Sequence, residues 1–326
     1  MVNIKEFLYP ILQRLKYLPS TIVFDILKHR LPINQKKVLL LSDSRTALSG
    51  NLLFIHQALV QNKDHIVVEH LKDPNKNKFN LQKHFTLLKD IATSKQIIID
   101  DYYPLIYALK LAKKTQLIQA WHACGAFKKM GFSRMGKPGG PPNSSLTHRN
   151  YTYTIVSSPN IRKDYAEAFN LPLSSVKPLG IPRTDIFFDS KYIEKTKTDL
   201  LVKYPQLKNK KVITFAPTFR GLGPKTAYYN FKLLDLQAIY DKFKEDYIFI
   251  IKLHPFIKNL PDLKLPTESN NFFLNLSSER EINDILLITD ILITDYSSVI
   301  FEYSLLDKPL IYFVPDLKEY ITEKDF

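Results

Sequence analysis

Short, fully apolar runs alternate with longer amphipathic segments along most of the chain. Residues 38–41 and 97–99 are examples of the short runs, whereas residues 47–61 and 83–93 carry apolar side chains at helical spacing. Strands that are apolar at every position are typical of a parallel sheet, because crossover helices cover both of its faces. The pattern therefore predicts an α/β fold. The predicted strands are 38–41, 66–68, 97–99, 117–118, 153–156, 212–215, 248–251, 291–294 and 310–314, and the predicted helices are 47–61, 83–93, 104–113, 159–169, 233–245, 280–287 and 297–306.

A lysine-rich polar stretch at 190–211 separates two such alternating regions. The chain has 326 residues, which is more than a single hydrophobic core usually supports. We therefore predict two Rossmann-like domains, the first at 31–190 and the second at 206–326. Ligands of such folds bind beyond the carboxyl ends of the strands, so the residues that follow each predicted strand are the first candidates for a functional site.

Residues 1–30 carry an apolar stripe at helical spacing, to which Ile4, Ile11 and Leu15 belong, with basic residues beside it. A basic amphipathic helix of this kind can lie on a membrane surface, and it can equally pack against the protein's own core. Pro10 is expected to kink the helix or to start a second one. The sequence leaves both placements of this segment open.

Residues 131–150 differ from the rest of the chain. Gly, Pro, Ser and Asn dominate there, and no apolar period survives. We predict a mobile surface loop, because long stretches of this composition in compact domains often serve as functional lids.

The chain is basic, with 46 Lys and Arg against 32 Asp and Glu, which gives a net charge of +14. Its partners are therefore expected to be anionic, and nucleic acid, acidic lipid headgroups and phosphorylated substrates all qualify. The single cysteine, Cys124, excludes an internal disulfide framework, and no Cys/His cluster has zinc-like spacing. No stretch approaches the roughly 20 apolar residues that cross a bilayer, and no secretory signal is recognisable. A cytoplasmic protein is expected.

In the first half, the predicted strand at 117–118 is followed by His122, with Gly125 and Lys128 shortly after it. An imidazole suits proton transfer near neutral pH, so His122 is a candidate general base for an attacking hydroxyl, although a lone histidine is more often structural.

Another predicted strand of the first half ends at a glycine turn, which is followed by Arg183 and Asp185. The arginine suits a phosphate, while the aspartate can orient a neighbour or cap the turn. A turn with a simple salt bridge explains this run equally well.

Two predicted strand ends in the second half also carry hydroxyl and basic side chains. One contributes Thr218 and Arg220, and the next contributes Lys252 and His254. Cationic groups at these positions are suited to stabilise charge that develops on a pyrophosphate leaving group.

A third strand end runs through Asp295, Ser297 and Ser298 into a predicted helix. Two hydroxyls and the backbone amides of a helix start favour a bound phosphate. Glu302 is four residues beyond Ser298 and on the same helix face, within reach of a sugar hydroxyl. Ordinary capping by serine is the alternative, and the cations at neighbouring strand ends favour a nucleotide phosphate site over it.

Taken together, these segments resemble the CDP-glycerol glycerophosphotransferase family, the teichoic acid primases and polymerases of Gram-positive bacteria. The five segments follow one another in the family's order. They are residues 121–128, 180–185, 216–220, 252–255 and 294–298, the last accompanied by Glu302.

The resemblance implies a GT-B type fold, in which two Rossmann-like domains face a cleft. It also implies transfer of glycerol phosphate or ribitol phosphate from CDP-glycerol or CDP-ribitol to a hydroxyl of a lipid-linked teichoic acid precursor, with release of CMP. The enzyme would act at the cytoplasmic face of the cell membrane, as a peripheral protein on an anionic surface. Family catalytic domains continue beyond the strand at 310–314, so the resemblance further implies a C-terminus that is truncated here.

The resemblance also implies roles for the candidate residues. His122 would be the base of the first domain, and Arg183 and Asp185 would lie at the junction of the domains. The donor would be held in the second domain by His254, Arg220, Ser297, Ser298 and Glu302, with His254 as a second catalytic group. The remaining implied substrate-binding residues are Gly125, Lys128, Thr218, Lys252 and Asp295.

Several alternatives stay open at the level of sequence. A nucleotide-sugar-dependent glycosyltransferase or epimerase of the same fold would use similar residues. A basic nucleic-acid-binding protein is disfavoured, because the positive charge is dispersed and no nucleic-acid module is recognisable. No tightly bound cofactor or metal is expected, since no carboxylate cluster has metal-binding spacing, while a loosely bound divalent cation remains open. The polyol, glycerol or ribitol, and a homo-oligomeric state are not decided.

Overall fold

A parallel sheet forms the centre of each of two units in the computed structural model, which describes residues 4–72, 80–137, 140–221, 225–257, 265–266, 269, 271–279 and 281–323. The units are Met1–Arg183 and Thr184–Phe326. The predicted α/β class with two parallel-sheet domains is therefore confirmed.

The first unit contains a six-stranded sheet in the order β2-β1-β3-β4-β5-β6, in which every neighbouring pair is parallel. Its strands are β1 (Asn34–Leu41), β2 (Ile66–His70), β3 (Ser94–Ile99), β4 (Gln116–Gln119), β5 (Tyr153–Ile155) and β6 (Val176–Lys177). Its helices are α1 (Ile4–Arg30), α2 (Gly50–Gln61), α3 (Leu81–Thr93), α4 (Pro104–Ala108) and α5 (Arg162–Phe169).

The second unit contains a five-stranded parallel sheet in the order β11-β10-β7-β8-β9. Its strands are β7 (Lys211–Phe215), β8 (Tyr247–Ile251), β9 (Phe273–Asn275), β10 (Ile291–Thr294) and β11 (Leu310–Tyr312). Its helices are α6 (Ser190–Lys203), α7 (Leu236–Phe243), α8 (Ile282–Ile288), α9 (Val299–Tyr303) and α10 (Leu317–Glu323).

The central strands of the first unit are buried on both faces. Leu39 and Leu41 pack on one side of the sheet with Phe24 of α1, whereas Val38 and Leu40 pack on the other side. Because successive side chains of a strand point to opposite faces, an apolar residue is needed at every position. This burial is the physical origin of the continuous apolar runs in the sequence.

Helix α1 continues through Pro10 and Pro19, so of the two alternatives expected at Pro10, a kink or a second helix, the second helix does not form. The helix packs against α3 and α4, and its Phe24 is only 1% exposed, so tertiary packing compensates for the interrupted hydrogen bonds. On its outer side, Leu12 and Leu15 remain 61% and 59% exposed. The packed placement therefore holds for one side of α1, and the membrane role of the other side stays a prediction.

The segment 131–150, predicted to be a mobile surface loop, includes buried residues in the part that the structure describes, and its mobility stays a prediction. Gly131 begins a short 3-10 turn and is buried, and Leu146 and His148 are 8% and 3% exposed. Gly131 has φ +52°, and a Cβ atom there would lie 2.2 Å from the carbonyl oxygen of Ala168. Close packing against α5 therefore explains the glycine at this position.

The division between the units falls after Arg183, ahead of the polar stretch 190–211 at which the sequence analysis set the boundary. Helix α6 occupies part of that stretch and packs against α8 of the second unit. The Tyr192 hydroxyl donates to Asp284 Oδ1 at 2.8 Å. The many lysines of α6 lie on its exposed side, which is why the stretch resembles a linker in sequence.

Candidate active site

In the first unit, the carboxyl ends of β1 and β3 meet in a buried ion pair between Arg45 and Asp100. Ser42 donates to the other oxygen of Asp100 at 3.0 Å, and Ser49 accepts from Arg45 at 2.6 Å. Asp100 is 1% exposed. Removing one partner of a buried pair leaves an uncompensated charge, so this cluster fixes the loops that follow the two strands.

His122 lies at the carboxyl end of β4, three residues beyond the end of the strand. Its side chain is 45% exposed, and its Nδ1 lies 3.9 Å from Oδ1 of Asp101. The crowded strand ends desolvate the ring and lower the pKa of His122, and the positive charge of Arg183 acts in the same direction, whereas Asp101 opposes it. A proton on Nδ1 faces a carboxylate, which leaves Nε2 as the nitrogen that accepts a proton from a substrate.

Trp121 sets the direction of His122. It has φ 50°, a left-handed conformation that is rare for a bulky residue. Its backbone N–H donates to Gln119 Oε1 at 2.8 Å, and its indole stacks on the His122 ring with a centroid distance of 4.4 Å. The strained turn therefore holds one face of the imidazole against a buried indole and leaves the side chain 45% exposed.

The His148 ring lies edge-on to the Trp121 ring, with a centroid distance of 6.5 Å. It also lies among other aromatic side chains, 4.5 Å from the ring of Phe169 and 5.1 Å from that of Tyr102. Nδ1 lies 3.1 Å from the Tyr151 hydroxyl, whereas Nε2 is buried without a hydrogen-bond partner. Burial lowers the pKa of His148 to about 3, so this imidazole is neutral and acts in packing.

Asn51 joins the turn at Trp121 to the end of the first unit. Its side-chain amide donates to the carbonyl oxygens of Ala120 at 3.2 Å and of Trp121 at 2.7 Å. Its Oδ1 accepts from the backbone N–H of Arg183 at 3.0 Å. Asn51 is 1% exposed, so all three bonds are sheltered from water. The residue fixes the segment before His122 and the candidate phosphate ligand Arg183 relative to each other.

The other candidates of the first unit differ in their surroundings. The buried Gly125 presents its carbonyl oxygen to the Tyr165 hydroxyl at 3.2 Å. Lys128 is half-buried, and Arg183 is half-buried beside Asn51. Asp185 lies in the first residues of the second unit and is exposed. The substrate contacts of these four residues stay predictions.

In the second unit, Asp295 connects the ends of β10 and β7. It is 1% exposed, and its Oδ1 accepts from the backbone N–H of Thr218 at 2.7 Å while its Oδ2 accepts from Arg220 Nη1 at 2.9 Å. Burial raises the pKa of Asp295, although both of these bonds act against the rise. The structure thus brings three predicted residues together, with Asp295 as the residue that orders the loop.

Arg220 is bound on both sides by carboxylates. Besides Asp295, it contacts Asp316, with 2.5 Å from Nε to Oδ2 and 2.9 Å from Nη2 to Oδ1. The rings of Tyr296 and Tyr320 cover its guanidinium at 5.1 and 4.9 Å and stack on each other at 3.8 Å. Bidentate pairing in a buried aromatic cage gives Arg220 an organising role, and its predicted phosphate contact stays a prediction.

His254 follows β8 and is half-buried. The backbone N–H of Phe256 donates to its Nδ1 at 3.2 Å, and its ring lies 4.8 Å from that of Phe219. Because Nδ1 accepts this bond, the neutral ring carries its proton on Nε2. His254 therefore presents an N–H donor at Nε2, which suits an anionic oxygen better than the role of a base.

Lys252 is only 4% exposed, and its ammonium group binds backbone carbonyl oxygens of its own unit. Its Nζ donates to the carbonyl oxygen of Glu279 at 2.7 Å and lies 3.5 Å from that of Ser277. Burial lowers the pKa of Lys252 to about 8. These contacts tie the segment after β9 to β8, so the structure supports an architectural role for Lys252.

The serine segment differs from the expected helix start. Helix α9 is five residues long and is followed by a 3-10 turn, so its dipole is small and the predicted helix at 297–306 is not realised as one α-helix. The backbone N–H of Val299 donates to Ser297 Oγ at 3.4 Å, and the Ser298 side chain forms no cap. Both serines are half-buried, whereas Glu302 is 1% exposed. A sugar contact by Glu302 stays a prediction.

Three organising residues escaped the sequence analysis, namely Asn51, Asp100 and Asp316. Asp100 directly follows a predicted strand, so the strand-end rule could have identified it. Asn51 and Asp316 act on residues 132 and 96 positions away in the chain, and a single sequence carries no signal of such pairings. In the parts of the chain that the structure describes, no group of three or more His, Cys, Asp or Glu residues is arranged to hold a metal ion.

Comparison with protein families gives a match over residues 23–326 to the family described as CDP-glycerol:poly(glycerophosphate) glycerophosphotransferase. A teichoic acid poly(ribitol-phosphate) polymerase of Bacillus spizizenii is 48% identical over 297 residues, which cover 91% of this chain and 48% of that protein. A teichoic acid ribitol-phosphate primase of the same species is 37% identical over 311 residues, which cover 93% of this chain and 79% of the primase. The chain spans about half the length of the polymerase.

A solved structure of a variant of the wall teichoic acid polymerase TagF has a similar fold. The TM-score is 0.76 at 20% sequence identity, and the match covers 98% of this chain and 81% of the TagF chain. At this identity the similarity concerns the fold alone. The resemblance found in the five sequence segments is confirmed by the family match.

Proposed function

The chain belongs to the CDP-glycerol:poly(glycerophosphate) glycerophosphotransferase family, and we propose that it transfers a polyol phosphate from a CDP-activated donor to a hydroxyl of a lipid-linked teichoic acid precursor. The observation that carries this proposal is the family match over residues 23–326, which includes every candidate residue. Family membership favours this activity over the nucleotide-sugar and nucleic-acid alternatives. The two parallel-sheet units and the fold similarity to TagF also support assignment to the GT-B class.

The proposed polyol is ribitol. Both relatives compared above are named for ribitol phosphate, one as a polymerase and one as a primase. Their identities of 48% and 37% over most of this chain support a shared donor. The sequence motifs alone did not separate ribitol from glycerol.

The proposed reaction is an in-line displacement at the β-phosphorus of the donor. The acceptor hydroxyl gives its proton to Nε2 of His122, and its oxygen forms the new bond to phosphorus. The bond between the β-phosphorus and the bridging oxygen breaks, and CMP departs with the electron pair. Positioning and charge stabilisation provide most of the catalysis in phosphoryl transfer, so no covalent enzyme intermediate is required.

Two properties of His122 support its role as the base. The lowered pKa keeps the imidazole neutral and able to accept a proton at neutral pH. The ring is exposed by 45%, so a large acceptor can reach it, and the stacking on Trp121 limits its rotation.

We assign donor recognition to the second unit. The Nε2–H of His254 and the half-buried hydroxyls of Ser297 and Ser298 are donors that suit phosphate oxygens. Arg220 and Asp295 would act through the loop at Thr218, which they hold in place. The proposed reaction uses no tightly bound cofactor, and a divalent cation would enter only loosely, with the donor. A loss of activity in EDTA that Mg²⁺ restores would indicate such a cation.

The proposed location is the cytoplasmic face of the membrane. None of the helices in the described part of the chain combines the length and apolarity needed to cross a bilayer. The exposed Leu12 and Leu15 of α1, next to the exposed Arg14 and Lys16, support a peripheral attachment to an anionic surface. Leu15→Glu should weaken flotation with phosphatidylglycerol vesicles, and unchanged flotation would contradict this part of the proposal.

Nucleotide release distinguishes the proposed activity from its alternatives. The protein is incubated with a lipid-linked teichoic acid acceptor and, in parallel, with CDP-ribitol, CDP-glycerol and UDP-sugars. We expect acceptor-dependent release of CMP, faster from CDP-ribitol than from CDP-glycerol. Release of UDP alone would overturn the proposal, and faster release from CDP-glycerol would overturn the choice of ribitol.

A further inference from the structure

A large apolar groove lies in the first unit, bordered by α1, α3 and α4. Its volume is about 1030 Å³, at the upper end of the roughly 300 to 1,000 Å³ typical of ligand pockets. Its apolar lining comes from Tyr17, Val23, Leu81, Phe85, Leu88 and Leu105. None of these residues is among the candidates for polyol-phosphate transfer, so the groove has no part in the proposed chemistry.

The groove has few polar groups, and two of them bind each other. Ser20 Oγ and His84 Nε2 are 2.9 Å apart and so satisfy one another. Leu81 and Phe85 are nevertheless 73% and 47% exposed. A surface of this kind gains free energy when apolar material covers it, by about 25 cal/mol per Å² of apolar area.

The groove continues into an exposed apolar stripe on α1. Ile11, Leu15 and Ile22 belong to this stripe and are 40%, 59% and 54% exposed. At 3.6 residues per turn, Leu12 and Pro19 lie between the stripe and the side of α1 that borders the groove. Apolar surface therefore extends without a polar interruption from the outer side of α1 into the groove.

The charges around this surface favour an anionic occupant. Lys16 is exposed and borders the groove. Asp25 of α1 is paired with Lys28 at 2.6 Å, and Asp90 of α3 is paired with Lys37 at 2.6 Å. Asp25 and Asp90 are thus paired with lysines, whereas Lys16 is exposed beside the groove, with its Nζ 5.2 Å from the centre of the Tyr17 ring.

We propose that this groove takes a hydrocarbon chain of an anionic membrane phospholipid, with Lys16 at the lipid phosphate. The inference rests on the proposed attachment of α1 to a membrane surface and adds a defined binding site to it. A bilayer lipid supplies both of the features that the surface complements, namely a long apolar chain and a negative headgroup.

The direct test is photo-crosslinking from vesicles. The full chain is bound to phosphatidylglycerol vesicles that contain a phosphatidylglycerol with a photoactivatable acyl chain, and labelled peptides are identified by mass spectrometry. We expect label on the α3 peptide that contains Leu81 and Phe85. Phe85→Glu should reduce that label roughly ten- to a hundredfold, the equivalent of the about 1.5 to 3 kcal/mol of apolar burial that it removes. Val60→Glu, at an exposed apolar position of α2, is the matched control and should leave the label unchanged.

A second variant tests the headgroup contact without altering the groove wall. Lys16→Gln should weaken binding to phosphatidylglycerol vesicles roughly fivefold, the equivalent of about 1 kcal/mol per basic residue, and leave binding to phosphatidylcholine vesicles unchanged. An equal loss on both vesicles would overturn the role of Lys16. This variant lies on the surface, so it remains informative even where Phe85→Glu impairs folding.

The outcomes separate the groove from the proposed function. Flotation with label only on the stripe of α1 would overturn the proposal that the groove binds a lipid chain, and it would still support membrane attachment. Absence of flotation would overturn both, while CMP release, measured on the same sample, judges the transferase activity independently. Label from a photoactivatable isoprenoid phosphate but none from the phospholipid would overturn the stated occupant in favour of the acceptor's lipid. A loss of label on α3 that depends on protein concentration alone would overturn it in favour of a second copy of the chain.

Discussion

The side-chain amide of Asn51 donates to the carbonyl oxygen of Trp121 at 2.7 Å, although the two residues are 70 positions apart in the chain. This bond fixes the peptide that leads directly into His122. Trp121 has a left-handed backbone conformation, which costs free energy unless the surroundings hold it. Asn51 therefore acts as a positioning residue for the proposed base.

Asn51→Asp should lower turnover. The substitution keeps the shape and the acceptor for Arg183 N–H but replaces two N–H bonds by repulsion between a carboxylate and two carbonyl oxygens. Loss of a buried donor costs about 1 to 3 kcal/mol, so kcat should fall roughly ten- to a hundredfold with little change in the Kd of the donor. The control is Asn62→Asp at the exposed end of α2. Parallel losses of kcat and donor affinity, or none in kcat, would contradict the positioning role.

The fluorescence of Trp121 offers a direct titration of the site, because this is the only tryptophan and its indole stacks on the His122 ring. A protonated imidazole quenches a stacked indole. The pKa of His122 is lowered by desolvation, so the quenching midpoint should lie below the ordinary value of 6.5. The transition should disappear in His122→Asn. A midpoint above 6.5 would show that the Asp101 carboxylate outweighs desolvation.

Arg220→Met should destabilise the second unit. The substitution leaves Asp295 buried without its charged partner and removes the link to Asp316. Breaking a buried pair on one side costs about 3 to 5 kcal/mol, which a urea titration of the unfolding transition measures. Lys232→Met, at an exposed position of the same unit, serves as the control and should change stability little. A loss as small as that of the control would contradict the organising role of Arg220.

His148 should make the first unit sensitive to acid. Its pKa is about 3 in the folded protein and near 6.5 in an unfolded chain, so between these values the unfolded state binds an extra proton. The contribution of neutral His148 to the free energy of unfolding is complete above pH 6.5. It is lost as the pH falls, by about 2 kcal/mol between pH 7 and pH 5. His148→Asn suits the local φ of 64° and should remove that part of the pH dependence. His29→Asn, which removes an exposed imidazole, is the control, and equal slopes in both variants would refute the assignment.

The sheets could be predicted because the central strands are buried on both faces and therefore lack polar residues. Strand β9 and helices α6 and α10 were missed. Strand β9 is only three residues long. Helix α6 is polar and lysine-rich, and only one of its sides packs on α8, so its apolar pattern is weak. The Gly, Pro and Ser content of residues 131–150 predicts mobility. The same residue types are also found in tightly packed turns, as at Gly131, so composition alone does not separate the two.

Much of the candidate site followed from one rule, that chemistry gathers at the carboxyl ends of parallel strands. The rule identified His122, Thr218, His254 and Asp295 as residues at those ends. It could not separate ligand-binding side chains from organising ones. Arg220 and Lys252 carry charges suited to phosphate, and yet the structure gives them partners within their own unit. That distinction depends on contacts between distant parts of the chain.

The central claim is tested most directly by the kinetics of His122→Asn with CDP-ribitol and a lipid-linked acceptor. Asparagine retains a polar side chain of similar reach but cannot accept the proton, so kcat for CMP release should fall by roughly a hundredfold to ten-thousandfold. The Kd of the donor, measured by calorimetry, should stay unchanged. A variant that turns over within a few-fold of the wild-type rate would contradict the role of His122 as the general base.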